Sequence, residues 1–216
     1  AIYIAEWSTA YKFINASLSF TYKDNLIAPD WYTEDEHSRI LVSSFSNFNH
    51  ASLLSTNVSL QHNFRWWRPS IRIAVQHLFF DYEYMNEPYS YGKTEFYLVV
   101  NQYFDLPHSW LANIYYYYNS GGTQNNIQLK PYQMFNFSIQ KSFLQDRLSV
   151  KFAARDLFHK MKFEEDTRIR NVHFWQIEDH KYWNFSLSIV GLLEQFDVRG
   201  IYPSGPGVLS SFMRDS

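Results

Sequence analysis

MFNFSIQKSFLQDRLSVKFAARDLF, residues 134–158, alternates in two halves around a polar hinge. Phe135, Phe137 and Ile139 share one parity, and Asn136, Ser138 and Gln140 the other. Past the hinge at 144–147, Leu148, Val150, Phe152 and Ala154 alternate with Ser149, Lys151, Ala153 and Arg155. A period of two over this length makes strands, and the short hinge makes the pair an antiparallel hairpin. What the apolar face touches decides the fold. A soluble sandwich buries it on a second sheet; a membrane barrel turns it to lipid.

The same alternation recurs along the chain. Leu18, Phe20 and Tyr22 oppose Ser17, Ser19, Thr21 and Lys23; Ile71, Ile73 and Val75 oppose Arg72, Ala74 and Gln76. Phe185, Leu187 and Ile189 oppose Asn184, Ser186 and Ser188. The pattern predicts about nine strands, at 2–11, 14–26, 39–64, 70–84, 94–105, 109–119, 132–143, 147–158 and 171–192. Short connections near 13–15, 65–69, 105–109 and 144–147 alternate with long polar ones at 23–38, 85–92, 119–131 and 159–178. That rhythm belongs to an up-and-down barrel of the outer membrane, whereas sandwiches are built from Greek keys. The strands also reach the roughly ten residues that a tilted strand needs to cross hydrocarbon.

Composition fits this reading. The chain has 216 residues, a net charge of −2 and 19% charged residues, which implies no nucleic-acid partner. It holds no cysteine, so thiolate metal sites and disulfides are excluded. Mean hydropathy is −0.37 and no run approaches the roughly 18 apolar residues of a membrane helix. A barrel strand needs only every second residue apolar. Aromatic residues make up 20% of the chain, a load that fits the aromatic girdles of a barrel.

The expected lipid-facing set includes Phe135, Phe137, Ile139, Leu148, Val150, Phe152, Phe185, Leu187 and Ile189. The charged residues Lys23, Arg72, Glu95, Lys151 and Arg155 all fall on the polar parity and are expected to face a wet lumen. A mid-bilayer Arg or Lys costs about 2–4 kcal/mol facing lipid. Trp66, Trp67 and Trp110 read as an aromatic girdle at the short-turn end, with Arg65 and Arg68 reaching headgroup phosphates. Trp31, Tyr32 and Trp175 lie in or beside long connections, where rings offer a platform for a ligand such as a sugar. The eight histidines show neither helical pairing nor cysteine partners, so no metal site is read from them, and no cofactor is implied. The acidic runs at 33–36 and 163–166 lack the calcium-loop order and read as solvated loops. Four N-x-S sequons fall on the polar parity of strands and are by-products of the alternation. No triad or spaced carboxylate pair is assignable, so the chain is not expected to be an enzyme.

The order FDLPHSW, an aromatic strand, NSGG, then FNFSIQKSFLQDRLSVKFAARDLFH resembles the C-terminal end of a TonB-dependent outer-membrane receptor. Its closest likeness is to the outer-membrane β-barrel branch of that group. Leu106-Pro107 fills the place of the family's periplasmic turn, Lys141–Leu144 its hairpin, Asp156-Leu157-Phe158 the hairpin's end, and residues 180–189 its final strand. The likeness covers roughly residues 1–190. It implies ligand uptake across the outer membrane of a Gram-negative bacterium, with energy passed from the TonB system and insertion by the barrel-assembly machinery. It also implies a plug domain and further barrel strands. An odd count of nine places those strands before residue 1 and leaves this segment, taken alone, without transport competence. Residues 1–192 are therefore expected to form an incomplete all-β, antiparallel up-and-down transmembrane barrel. After Ile189 the alternation breaks at Leu192 and Leu193, and 193–216 reads as an irregular tail, divergent or non-native. The competing expectation is a soluble all-β ligand-binding module of carbohydrate-binding type, its aromatics clustered on one sheet face.

Overall fold

The structure, a computed structural model, describes residues 1–34, 37–84, 87–124, 127–169 and 171–191. All regular structure among them is β. In chain order the first strands are β1 (Ile2–Tyr11), β2 (Ile14–Tyr32), β3 (Val42–Gln61), β4 (Trp67–Tyr84), β5 (Glu87–Leu106) and β6 (Trp110–Asn119). Then come the short β7 (Gly122–Gln124) and β8 (Ile127–Leu129), followed by β9 (Tyr132–Phe143) and β10 (Leu148–Arg155). The last are β11 (Phe163–Ile169), β12 (Val172–Glu178) and β13 (Asn184–Gly191). Nine form one antiparallel meander in the order β1-β2-β3-β4-β5-β6-β9-β10-β13, and β12-β11-β8-β7 form a second sheet. The large sheet is open, so β1 and β13 are its edges. They run in the same direction, and antiparallel closure calls for an odd number of strands between them.

Register carries the alternation across the whole sheet. Directly opposed residues share a face. One row joins Ile114, Phe137, Ala154 and Phe185; the next joins Ala112, Ile139, Phe152 and Leu187. On the other face Arg68, Tyr103, Asn113, Ser138, Ala153 and Ser186 line up. Among the described residues no second sheet layer covers the apolar face: Leu187 is 67% exposed and Phe185 58%. Among the described residues the buried apolar side chains are only Phe48, Phe80, Ile127 and three alanines. A sandwich of this size would bury its strand interiors against a second layer. This sheet does not.

Strand heights differ. β2 to β5 run 18 to 20 residues, while β6, β10 and β13 run 8 to 10. Twenty residues span about 68 Å along the strand, so even at a 45° tilt the tall strands overshoot the ~25 Å apolar band. The short turns, at 12–13, 62–66, 107–109 and 144–147, all lie at the opposite end from the long connections. Several of their residues adopt positive φ, among them Lys12, His108, Ser109 and Asp146. The overshoot of β2 and β3 changes phase. Below it Ser19, Thr21 and Lys23 on β2 and Ala51 and Ser55 on β3 are the better-covered residues. Above it Leu26, Ala28, Asp30 and Phe48 take that role, and Ile27 and Phe45 become exposed. The switch falls at Asn25, whose φ is +53°, a left-handed conformation that asparagine tolerates. There Phe48 packs against Phe80 with ring centroids 5.3 Å apart, next to Leu26 and Ala28.

Several expected elements differ: β2 runs on to Tyr32 through the connection read over 23–38, and β7 and β8 lie inside the one read over 119–131. The strand read over 171–192 is two: β12 in the small sheet, then β13 in the large one. The loop read over 159–178 contains the hairpin β11–β12, and strand pairing of β4 with β5 continues through the polar stretch as far as Tyr84 and Glu87. In each case polar residues interrupt the apolar parity, which weakens the period-two signal without removing the pairing. Leu192 and the tail 193–216 lie outside the described residues.

Asp156 fixes the point where β10 leaves the sheet. It is fully buried; its two carboxylate oxygens accept the backbone N–H of Lys160 (3.0 Å) and Met161 (3.1 Å). Its own N–H donates to Asn136 Oδ1 at 2.9 Å. Phe158 then packs at a tilt against Phe135, ring centroids 5.3 Å apart. Replacing Asp156 with alanine leaves two N–H groups without acceptors and is expected to cost about 2–4 kcal/mol. The compact form of Asp156→Ala on an unboiled gel should therefore disappear at a lower temperature than that of wild type; an unchanged transition would show that the turn does not depend on this carboxylate.

Candidate functional site

The long-connection end carries the features that bear on ligand contact, and the small sheet sits there. Its entry is built by Asn119-Ser120-Gly121-Gly122. Asn119 Oδ1 accepts the N–H of Gly121 at 2.7 Å while its amide donates to Tyr132. Gly121 has φ +74°, and a Cβ there would overlap the Leu129 carbonyl; one on Gly122 would overlap the Glu95 carboxylate. Position 121 therefore requires glycine, whereas a side chain at 122 would need only the Glu95 side chain to move aside. Ser120 binds the backbone of Phe96 through its N–H and its hydroxyl, tying the exit of β6 to the tall strand β5.

The two hairpins β7–β8 and β11–β12 join through Glu165 opposite Leu129 and a 2.8 Å bond from Lys130 N–H to the Glu164 carbonyl. One face of the small sheet turns inward. It buries Ile127 and Thr167, stacks Phe174 on Trp31 at 5.7 Å and packs Phe163 at a tilt against Tyr132 at 4.8 Å. Glu165 shares this face, and burial pushes its carboxyl pKa up. The other face is solvated and charged. Lys130 Nζ reaches Asp166 at 2.7 Å and Glu164 at 3.0 Å, His173 contacts Asp166 at 2.8 Å, and Trp175 donates to Glu164 at 3.4 Å. Lys130, then Trp175, hold the Glu164 carboxyl below its usual range; Lys130, then His173, do the same for Asp166. Asp179 is lowered further, to about 2, by the Lys181 backbone N–H and by His159.

Each residue expected to serve function can now be placed. Trp31 and Trp175 do not form one platform: Trp31 stacks against the inner face, through Phe174, while Trp175 stands on the outer face and is 58% exposed. Tyr32 follows Trp31 at the end of β2 and is half-buried. The acidic stretch 163–166 is strand β11, with Glu164 and Asp166 engaged by Lys130. Of the stretch 33–36, Asp35 and Glu36 lie outside the described residues. Lys23 stands opposite Ala51, Arg72 opposite Ser59, Glu95 opposite Gln76, Lys151 opposite Gln140 and Arg155 opposite Asn184. All five share the polar face. Leu148 and Val150 stand opposite Gly191 and Ile189, on the apolar one.

At the short-turn end Trp66 stacks on Trp67 (6.1 Å) and Phe104 (6.3 Å), and Lys141 lies over the Trp110 ring at 5.4 Å. Arg68 is on the polar face, bound to Asp105 at 2.9 Å and packed over Tyr103, so it is committed to the wall and not to the girdle. Sequence reasoning missed the pairing of Lys130 with β11, because Lys130 and β11 fall in different expected connections, 119–131 and 159–178. The faint signal was the alternation of Phe163, Glu165, Thr167 and Ile169 with Glu164, Asp166 and Arg168.

The profile of the outer membrane protein β-barrel family matches residues 3–190, and the chain belongs to that family. No curated protein and no solved structure matches it. The family places the protein in the outer membrane, which removes the soluble binding module as a reading.

The small sheet should respond to acid. Glu164, Asp166 and Asp179 have folded pKa values below their ordinary ones, so their contribution is complete above the ordinary carboxylate range near 4. It is lost as pH falls through the folded values, down to about 2 for Asp179. Hydrogen exchange of residues 127–130 and 163–169, corrected for intrinsic rates, should be slow at pH 6 and accelerate at pH 3. Lys130→Gln should show the faster exchange already at pH 6, with β6 and β9 unchanged; equal protection at both pH values would show that the ion pairs do not hold the loops together.

Proposed function

We propose, from the premise that this chain is part of an outer-membrane β-barrel, that it is a segment of a receptor of the TonB-dependent kind, which takes up a scarce ligand. The observation that carries the reading is the division of the sheet: an uncovered apolar face, a polar face, and long strands crowned by a folded loop sheet at one end only. A passive structural barrel has little need for two loops that fold against one another. A receptor needs an external surface of fixed shape. The chain acts without enzymatic chemistry of its own. Its partners are membrane lipid, further strands and a plug domain of the same receptor, the TonB system that supplies energy, and the machinery that inserts barrels. The organism is a Gram-negative bacterium.

In this reading the apolar row through Phe137 meets lipid and the row through Ser138 meets the lumen. Phe137→Arg should cost about 2–4 kcal/mol by placing a cation near mid-bilayer, whereas Ser138→Arg should cost little. The measurement is the share of protein that reaches outer membranes as a compact, heat-modifiable band. Strong loss for Phe137→Arg with retention for Ser138→Arg supports the reading, and equal behaviour of the two overturns the assignment of faces. Uptake is tested separately: deleting the TonB-energising system should abolish growth on the receptor's ligand, and persistence of uptake would exclude this receptor class.

A further inference from the structure

We infer that the polar wall formed by β4, β5, β6, β9 and β10 is a binding surface for a small anionic solute, one bearing carboxylate or phosphate groups. The inference rests on the uptake reading above and names the class of solute. The chain as a whole is slightly acidic, at −2, yet its polar face in the large sheet is basic. Lys23, Arg68, Arg72, Lys93, Lys151 and Arg155 stand on it, against Glu6, Glu95 and Asp105. Two of those carboxylates are already engaged, Asp105 by Arg68 and Glu95 by the Tyr97 hydroxyl, and Glu6 lies on the edge strand β1. Among the described residues, Arg72, Lys151 and Arg155 are exposed and have no carboxylate partner. Lys151 and Arg155 share one strand and face, about 13 Å apart along it.

The surroundings of these cations are suited to oxygen acceptors. A hollow of about 320 Å³ is lined by Asn101, Tyr115, Asn136, Lys151 and Arg155, and a second of about 240 Å³ by Arg68, Gln140 and again Lys151. Tyr103, Asn113 and Ser138 belong to both, so the two are continuous. Asn136 Oδ1 is occupied by the Asp156 N–H, which leaves its amide N–H groups as the free end. No carboxylate lines either hollow. Volumes at or just below the lower end of the roughly 300–1,000 Å³ of small-molecule sites fit a solute better than a length of polypeptide. Several cations along one polar wall concentrate counter-ions, and such arrays select anions in pores.

The test uses the protein purified from outer membranes in neutral detergent, titrated calorimetrically at low salt and pH 7 with citrate and, as the uncharged probe, maltotriose. Wild type should bind citrate and not maltotriose. The double variant Lys151→Gln/Arg155→Gln should bind citrate about tenfold more weakly, a loss of charge complementarity. Lys160→Gln/Arg168→Gln, which removes the same charge from the external loops, should leave it unchanged. Absence of citrate binding by wild type, as when an acidic segment of the receptor itself covers the wall, overturns the inference. So does equal citrate affinity in the wall variant, or maltotriose bound as tightly as citrate. The compact unboiled band is checked in every sample. If wild type lacks that band in outer membranes, the barrel reading has failed; if the band is present and citrate is ignored, only the anion inference has.

Discussion

Hydrocarbon offers no hydrogen bonds, so each N–H and C=O of a crossing segment needs a partner in the protein, and for strands that partner is the neighbouring strand. The continuous ladder from β1 to β13 answers this requirement, and most other features depend on it. A ladder fixes register, and register fixes which side chains share a face. Because Phe137 is opposite both Ile114 and Ala154, a slip of one residue would carry a whole apolar row to the polar side. The absence of a packed interior follows too. Apolar residues of this sheet such as Leu187 and Phe185 stay exposed, and the largest buried ones, Phe48 and Phe80, meet where β2–β4 rise above the crossing zone.

Outside the crossing zone the rule relaxes and other forces shape the chain. Water competes for backbone groups there, so pairing persists only where side chains add to it. Asn25 marks the change on β2, letting the covered residues shift phase. The two loops of the short half solve their solvation by pairing with each other, with Lys130 between Glu164 and Asp166 and with Phe174 seated on Trp31. Gly121, Gly122 and Asp156 act at the exits from the sheet, where the backbone must turn without steric conflict and without unsatisfied N–H groups. The resulting surface combines aromatic contact on its inner face with ion pairs on its outer one.

Charge is distributed with the same logic. Carboxylates gather on the external loops, where Lys130, His159 and His173 meet them. Unpaired cations line the polar wall. A protein whose overall charge is nearly neutral can in this way present opposite fields at its mouth and along its interior, and only the three-dimensional sorting makes the second visible.

The sequence by itself determined most strands of the large sheet, the alternation of short turns and long connections, and the shared parity of Lys23, Arg72, Glu95, Lys151 and Arg155. These are local properties: a period of two survives in the chain wherever two faces meet two different surroundings, as in Phe135–Gln140. Tertiary structure alone decided the rest. The hairpin β11–β12 was hidden because both its faces are rich in polar groups, and the split of 171–192 into two strands because the break falls in a polar stretch between sheets. Trp31 and Trp175 looked like one platform and occupy different sides of the small sheet. Arg68 looked like a headgroup contact and is bound to Asp105. Parity tells which face a residue takes, but which residue of another loop it meets depends on register and on folding over a distance, and that information is carried by no single stretch of the chain.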